Sequence, residues 1–224
     1  MKHVFAIIVH MDFTHVFFDL DGTLTESGPG IMKSVQYMLH ELGIEEEDEQ
    51  NLRRFIGPSL IYSLTTFYGL TQEEAARGVK IYRPYYDKYG AFDNSVYSGI
   101  PELLSSLKTA GKTLCIVSGK PEYLIAPITE HFGIADYFTV LGGSDVNEAR
   151  ADKTEVIASV LSRSGAVPEK TIMVGDRRFD IAGAKSNGMR SVGVLYGYGE
   201  RTELEEAGAD FIAQTTGDLL KLLR

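Results

Sequence analysis

The chain has 224 residues, 44% of them hydrophobic and 24% charged, a balance that fits a soluble globular protein and excludes a disordered or fibrous class. A net charge of -9 without any basic stripe excludes sequence-independent nucleic-acid binding, which needs positive charge against the phosphate backbone. The single cysteine, Cys115, sits in the apolar run Leu114 to Val117 and permits no disulfide or thiolate metal site within one chain.

Residues 1–10 read as an extension ahead of the first core strand. Their apolar run, Val4 to Val9, is shorter than the apolar region of a signal peptide, and no membrane span follows, so a cytoplasmic location is expected. His3, His10 and His15 lack a metal-ligand spacing and read as solvent-facing or packing residues.

Short apolar, β-branched runs recur at Val16–Phe18, Leu114–Val117, Phe138–Leu141, Ile172–Val174, Val192–Leu195 and Phe211–Ala213. Runs of this kind predict strands buried on both faces. Helical patterns lie between them. Pro101 opens one that closes at Gly111, Pro121 opens one that closes at Gly133, and Asp152 with Glu155 predicts a capping box for a third. The alternation predicts a doubly wound α/β parallel sheet, Rossmann-like, over residues 1–27 and 92–224.

Residues 28–91 break the alternation, being helical without a strand signal. Ile31, Val35, Met38, Leu39 and Leu42 share one helix face, which Gly43 ends. Leu60, Leu64, Phe67 and Tyr68 repeat the pattern before Gly69, and Thr71 with Glu74 caps a further helix. A small α-helical domain is therefore expected as an insertion after the first strand. The acidic run Glu45–Glu49 reads as a solvated helix start.

The chemistry concentrates at strand ends. Asp19 and Asp21 stand two residues apart after an apolar strand, so both point to one side. Two such carboxylates are costly to bury unless a cation lies between them, and the pair suits Mg²⁺, which prefers oxygen ligands. Ser118 and Gly119 follow the second strand, offering a hydroxyl and a backbone N–H to phosphate oxygens. Lys153 lies in the first turn of its helix against the dipole, which makes sense if it leans onto carboxylates or phosphate. Asp176 ends the next strand and Asp180 begins the following helix, where an acid also serves as a cap. With strand order 3-2-1-4-5 these four ends meet in one crevice.

In that order and spacing, the motifs around Asp19 and Asp21, Ser118, Lys153, and Asp176 with Asp180 resemble the haloacid dehalogenase superfamily, in the branch with a helical cap after the first motif. The resemblance spans about residues 13 to 220. It implies Asp19 as nucleophile and metal ligand, Asp21 as general acid and base within the metal set, and Ser118, Gly119 and Lys153 as phosphate-binding residues. It further implies that Asp176 holds Mg²⁺ with support from Asp180, and that the substrate is a small phosphorylated metabolite. The string Gly193 to Gly199 resembles a phosphoglycolate-phosphatase-like or nucleotidase-like subgroup. Gly119 departs from the Asn or Ser of many relatives, so one side-chain contact is missing there.

The loop Phe55–Ser59 is expected to face the substrate. Arg53 and Arg54 beside it read either as helix-surface residues or as groups reaching the non-phosphate end. A sugar phosphomutase and a receiver-like phospho-accepting domain are the rival readings, and a monomer or homodimer is expected.

Overall fold

The computed structural model describes residues 13–145 and 152–224; the expected N-terminal extension lies outside the described residues. Six parallel strands form the sheet: β1 (His15–Phe18), β2 (Thr113–Pro121), β3 (Phe138–Ser144), β4 (Thr171–Gly175), β5 (Arg190–Val194) and β6 (Phe211–Ala213). Their order is β3-β2-β1-β4-β5-β6, so β1 lies between β2 and β4. Phe17 is thereby flanked by Cys115 on one side and Met173 on the other.

Each strand face has its own core. Val16 and Phe18 join the larger apolar cluster, while Phe17 packs with Cys115, Met173, Val156 and Ile157 on the opposite face. All three β1 residues are fully buried. At about 1.5–3 kcal/mol for each such side chain, this burial fixes the strand that carries the acid pair.

β2 runs four residues beyond its apolar stretch, because it stays paired with β3 out to Pro121 opposite Ser144 across a register shift. Hydrophobicity ends at Val117 while the pairing does not. Strand geometry therefore extends through Ser118, Gly119 and Lys120.

The helical stretch between β1 and β2 holds α1 (Gly28–Glu41), α2 (Glu49–Arg53), α3 (Leu60–Tyr68) and α4 (Gln72–Tyr85), with a π-turn at Tyr86–Gly90. Asp48 caps α2, and Thr71 with Glu74 forms a full capping box on α4. The π-turn follows Pro84, which lacks the N–H of a regular ladder. At the neck, Thr25 bridges Val96, with Glu26 N donating to Ser95 O and Tyr97 N to Leu24 O.

The remaining helices are α5 (Ile100–Thr109), α6 (Glu122–His131), α7 (Lys153–Ser164), α8 (Arg178–Ser186), α9 (Arg201–Ala207) and α10 (Thr216–Leu223). One detail differs from expectation. Asp152 caps α7 by accepting from Thr154 N at 2.8 Å, a simple Asx cap without a reciprocal bond from Glu155. No helix among the described residues is long and apolar enough to cross a membrane.

Candidate active site

The carboxyl ends of β1, β2 and β4 and the first turns of α7 and α8 come together at one place, beside a cleft. Asp19 extends β1 by one ladder bond, its amide donating to Val174 O at 2.9 Å. The chain then turns around the Leu20 carbonyl, which accepts from the amides of Thr23, Leu24 and Thr25. This turn holds Asp21 beside Asp19, both buried.

Lys153 is buried at the start of α7, where its Nζ lies 2.7 Å from Asp19 Oδ1, 2.8 Å from Asp180 Oδ1 and 3.2 Å from Val117 O. The ammonium donates to Asp19 and to the Val117 carbonyl, and it stands in an ion pair with Asp180. The sense of leaning onto carboxylates, anticipated from its awkward helix position, is thus visible as geometry. Asp180 also caps α8, accepting from Arg177 N at 3.1 Å.

Asp19, Asp176 and Asp180 each offer one carboxylate oxygen within 4.8 Å of the others, and all are buried. One ammonium against three carboxylates leaves a buried net negative charge. Burial pushes the Asp19 carboxyl up to about 7; Lys153 opposes the rise, and Asp180 and Asp21 add to it. Burial, with Asp19 and Asp180 nearby, also raises the Asp176 carboxyl well above its usual range. Burial alone would lower Lys153, but Asp180 and Asp19 outweigh it and hold the ammonium charged. An all-oxygen, buried, electron-rich donor set fits a hard divalent cation.

Reading the sequence put Asp21 in the metal set and Asp180 in support. In the structure, Asp180 is one of the three clustered carboxylates and Asp21 turns elsewhere. Asp21 Oδ2 lies 3.1 Å from Lys120 Nζ, and its Oδ1 has no hydrogen-bond partner among the described residues.

Lys120 escaped the sequence reading. It is buried, donates to Tyr86 Oη at 2.6 Å and lies 4.5 Å from the centre of that ring. The available signal was its spacing: Lys120 is two residues after Ser118 on a strand, so the two side chains share a face. Ser118 is buried, and its Oγ accepts from Lys120 N at 3.2 Å. Gly119 meets the insertion, since a Cβ there would stand 3.6 Å from the Gly57 carbonyl oxygen.

The cleft has a volume of about 60 Å³, is partly open, and is lined from both the core and the insertion. The core contributes Asp19, Asp21 and Ser118 to Pro121. Phe55, Gly57 to Leu60, Tyr82, Arg83 and Tyr86 come from the helical side, with Ile31 of α1. The expected loop Phe55–Ser59 therefore does face the acids. It is also tied to the end of β4, because Arg177 donates to the Ile56 carbonyl while Glu203 holds its Nε at 2.9 Å. Arg178 donates to Tyr62 Oη at 2.9 Å, and the Tyr62 and Phe179 rings meet edge to face. Neither Arg53 nor Arg54 lines the cleft. Arg53 lies over Tyr198, and Arg54 stacks on Phe67 at 3.9 Å.

Comparison with known proteins places this arrangement among relatives. A family model described as "Haloacid dehalogenase-like hydrolase" matches residues 16–194. A 5'-nucleotidase of Pseudomonas aeruginosa is 39% identical over 86% of this chain and 87% of its own. The tyrosine-protein kinase PtkA of Mycobacterium tuberculosis is 36% identical over 90% of this chain and 66% of its own. A phosphoglycolate phosphatase of Salmonella typhimurium is 33% identical over 93% and 91%. The crystal structure of a "predicted phosphatase" from Clostridium acetobutylicum superposes with a TM-score of 0.91 at 40% identity, covering 93% of this chain and 97% of that one.

Proposed function

The chain belongs to the haloacid dehalogenase-like hydrolases, and from that premise we propose that it is a magnesium-dependent phosphatase of small phosphate monoesters working through an aspartyl phosphate on Asp19. The observation that carries the reading is Asp19 at 2.7 Å from Lys153, with Asp21 two residues on and open to the same cleft.

In the first step an Asp19 carboxylate oxygen bonds to phosphorus as the phosphorus–oxygen ester bond breaks, and Asp21 gives its proton to the leaving alcohol. In the second, Asp21 takes a proton from water as the water oxygen attacks the same phosphorus, releasing phosphate and restoring Asp19. Lys153 sits against the nucleophile, while Ser118 and the Gly119 amide flank the phosphoryl position. Asp19, Asp176 and Asp180 would hold Mg²⁺, which when bound offsets charge on the transferring group.

The space available supports a short substrate. A cleft of about 60 Å³ is far below the roughly 300–1,000 Å³ of sites that enclose drug-sized ligands. A nucleoside monophosphate would need residues 28–91, which we read as a cap, to move aside, whereas an ester the size of phosphoglycolate needs much less.

The test uses Asp21→Asn with an ester carrying a good leaving group. The first step then proceeds without a general acid, while the second lacks its base, worth about 10² to 10⁴ in rate. Acid-quenched protein should carry a covalent phosphate on Asp19 in its intact mass, and Asp19→Asn should carry none. Phosphate on another residue, or turnover by Asp19→Asn, would refute the mechanism. Rates of phosphate release from phosphoglycolate and a 5'-nucleotide, measured side by side, decide the substrate.

A further inference from the structure

The loop 196–199, which follows β5, is wedged against the acid-bearing end of β4. The Tyr198 amide donates to Asp176 Oδ2 at 2.7 Å. A Cβ on Gly197 would stand 2.2 Å from the Gly22 carbonyl oxygen and 2.5 Å from Asp176 Cβ, and one on Gly199 would stand 1.9 Å from the Asp176 carbonyl oxygen. Backbone packed this closely transmits displacement, so the loop and Asp176 shift together.

The far end of Tyr198 belongs to the insertion. Its hydroxyl accepts from Gly28 N at 2.7 Å, at the first residue of α1, and lies within electrostatic reach of the Tyr97 hydroxyl. Gly28 and Tyr97 stand on the two chain segments that join the insertion to the core. Arg53 of α2 lies 4.9 Å over the Tyr198 ring and reaches Gly197 O at 3.5 Å. A single residue thus touches Asp176 through its amide and reaches both connecting segments through its hydroxyl.

We propose that Tyr198 is a positioning residue that couples cation occupancy at Asp176 to the seating of the helical insertion. The coupling rests on the reading of Asp176 as a cation ligand. A cation that draws on the Asp176 carboxylate alters its bond to the Tyr198 amide, and the wedged loop carries the change to the hydroxyl that holds Gly28 and reaches Tyr97.

Hydrogen exchange of the full chain tests this, read by mass spectrometry at residues 26–31 and 94–98 with Mg²⁺ and with chelator, alongside calorimetry of Mg²⁺ binding. In the native chain, Mg²⁺ should slow exchange in both segments by about three- to tenfold, the scale of one hydrogen bond. Tyr198→Phe keeps the ring and the amide but loses the acceptor. Its exchange at 26–31 should be faster and insensitive to Mg²⁺, while Mg²⁺ affinity stays within about threefold. Tyr97→Phe keeps the Gly28 bond, so it should lose the response at 94–98 alone; it carries the test if melting shows Tyr198→Phe to be unfolded. Binding heat without altered exchange in the native chain overturns the coupling, as does an unchanged response in the folded variants. Absence of binding heat overturns the cation reading and the coupling with it.

Discussion

Lys120 and Asp21 make a buried pair with Tyr86 closing it from the insertion side. Taking away one member of such a pair costs about 3–5 kcal/mol because the other charge stays buried alone. Lys120→Met should therefore lower the melting temperature, and adding Asp21→Asn should return most of the loss, since no charge is then stranded. The same single variant should lose about ten- to a hundredfold in kcat, part of what a misdirected acid and base is worth. A double variant no more stable than Lys120→Met would show that the pair is not what holds these groups. The acids themselves were legible, because a strand end, a two-residue spacing and a following glycine leave few other readings for Asp19 and Asp21. Lys120 was not: a lysine after an apolar run reads as the chain reaching solvent, and only pairing with β3 keeps it inside.

At the scale of elements, the loop between α2 and α3 carries the contact between insertion and acids. Gly57 has φ of +105°, a conformation that costs any other residue about 1–3 kcal/mol, and its Cβ would stand 2.8 Å from Arg177 Cγ. Gly57→Ala should push Arg177 from the Ile56 carbonyl and unseat the loop. The expected result is a KM raised about tenfold with kcat nearly held, the pattern of lost substrate binding. Melting should fall by only a few degrees, at about 2–4 °C per kcal/mol for a chain of this size. A lowered melting point with KM unchanged would assign Gly57 a structural role alone. Three of the helix boundaries in the insertion were legible from Gly43, Gly69 and Thr71, whose chemistry is local. The π-turn that carries Tyr86 was not legible, since Pro84 marks an interruption of α4 without specifying the kind of turn that follows it.

Across the whole molecule, the acid cluster sets how stability depends on pH. Asp19, moved from 3.8 to about 7, and Asp176, raised well above its usual range, bind protons in the folded state at pH values where the unfolded chain has released them. Stability of the metal-free protein must then fall as pH rises from about 4 through 7, by up to about 1.4 kcal/mol per unit for each group. Melting in chelator should be higher at pH 5 than at pH 8, and Mg²⁺ should raise it most at pH 8, where the ionised carboxylates are the ones a cation favours. A metal-free melting point that rises between pH 5 and 8 would contradict the burial of this cluster. Such charge crowding is a property of the assembled sheet: the sequence shows two acid pairs in two distant segments, and the pairing of β1 with β4 brings three of the four acids within 4.8 Å.

The neck at Thr25 and Val96 has one further consequence. The chain leaves the sheet and returns to it at adjacent points, joined by the bonds of Glu26 to Ser95 and Tyr97 to Leu24. For the sheet, everything between these residues is a closed loop, and closing a loop costs only about 0.6 kcal/mol more for each doubling of its length. Helices there can be lengthened, replaced or shed at little entropic cost to the catalytic half. On the proposed reading of the insertion as a cap, the neck separates the evolution of substrate choice from that of the reaction itself.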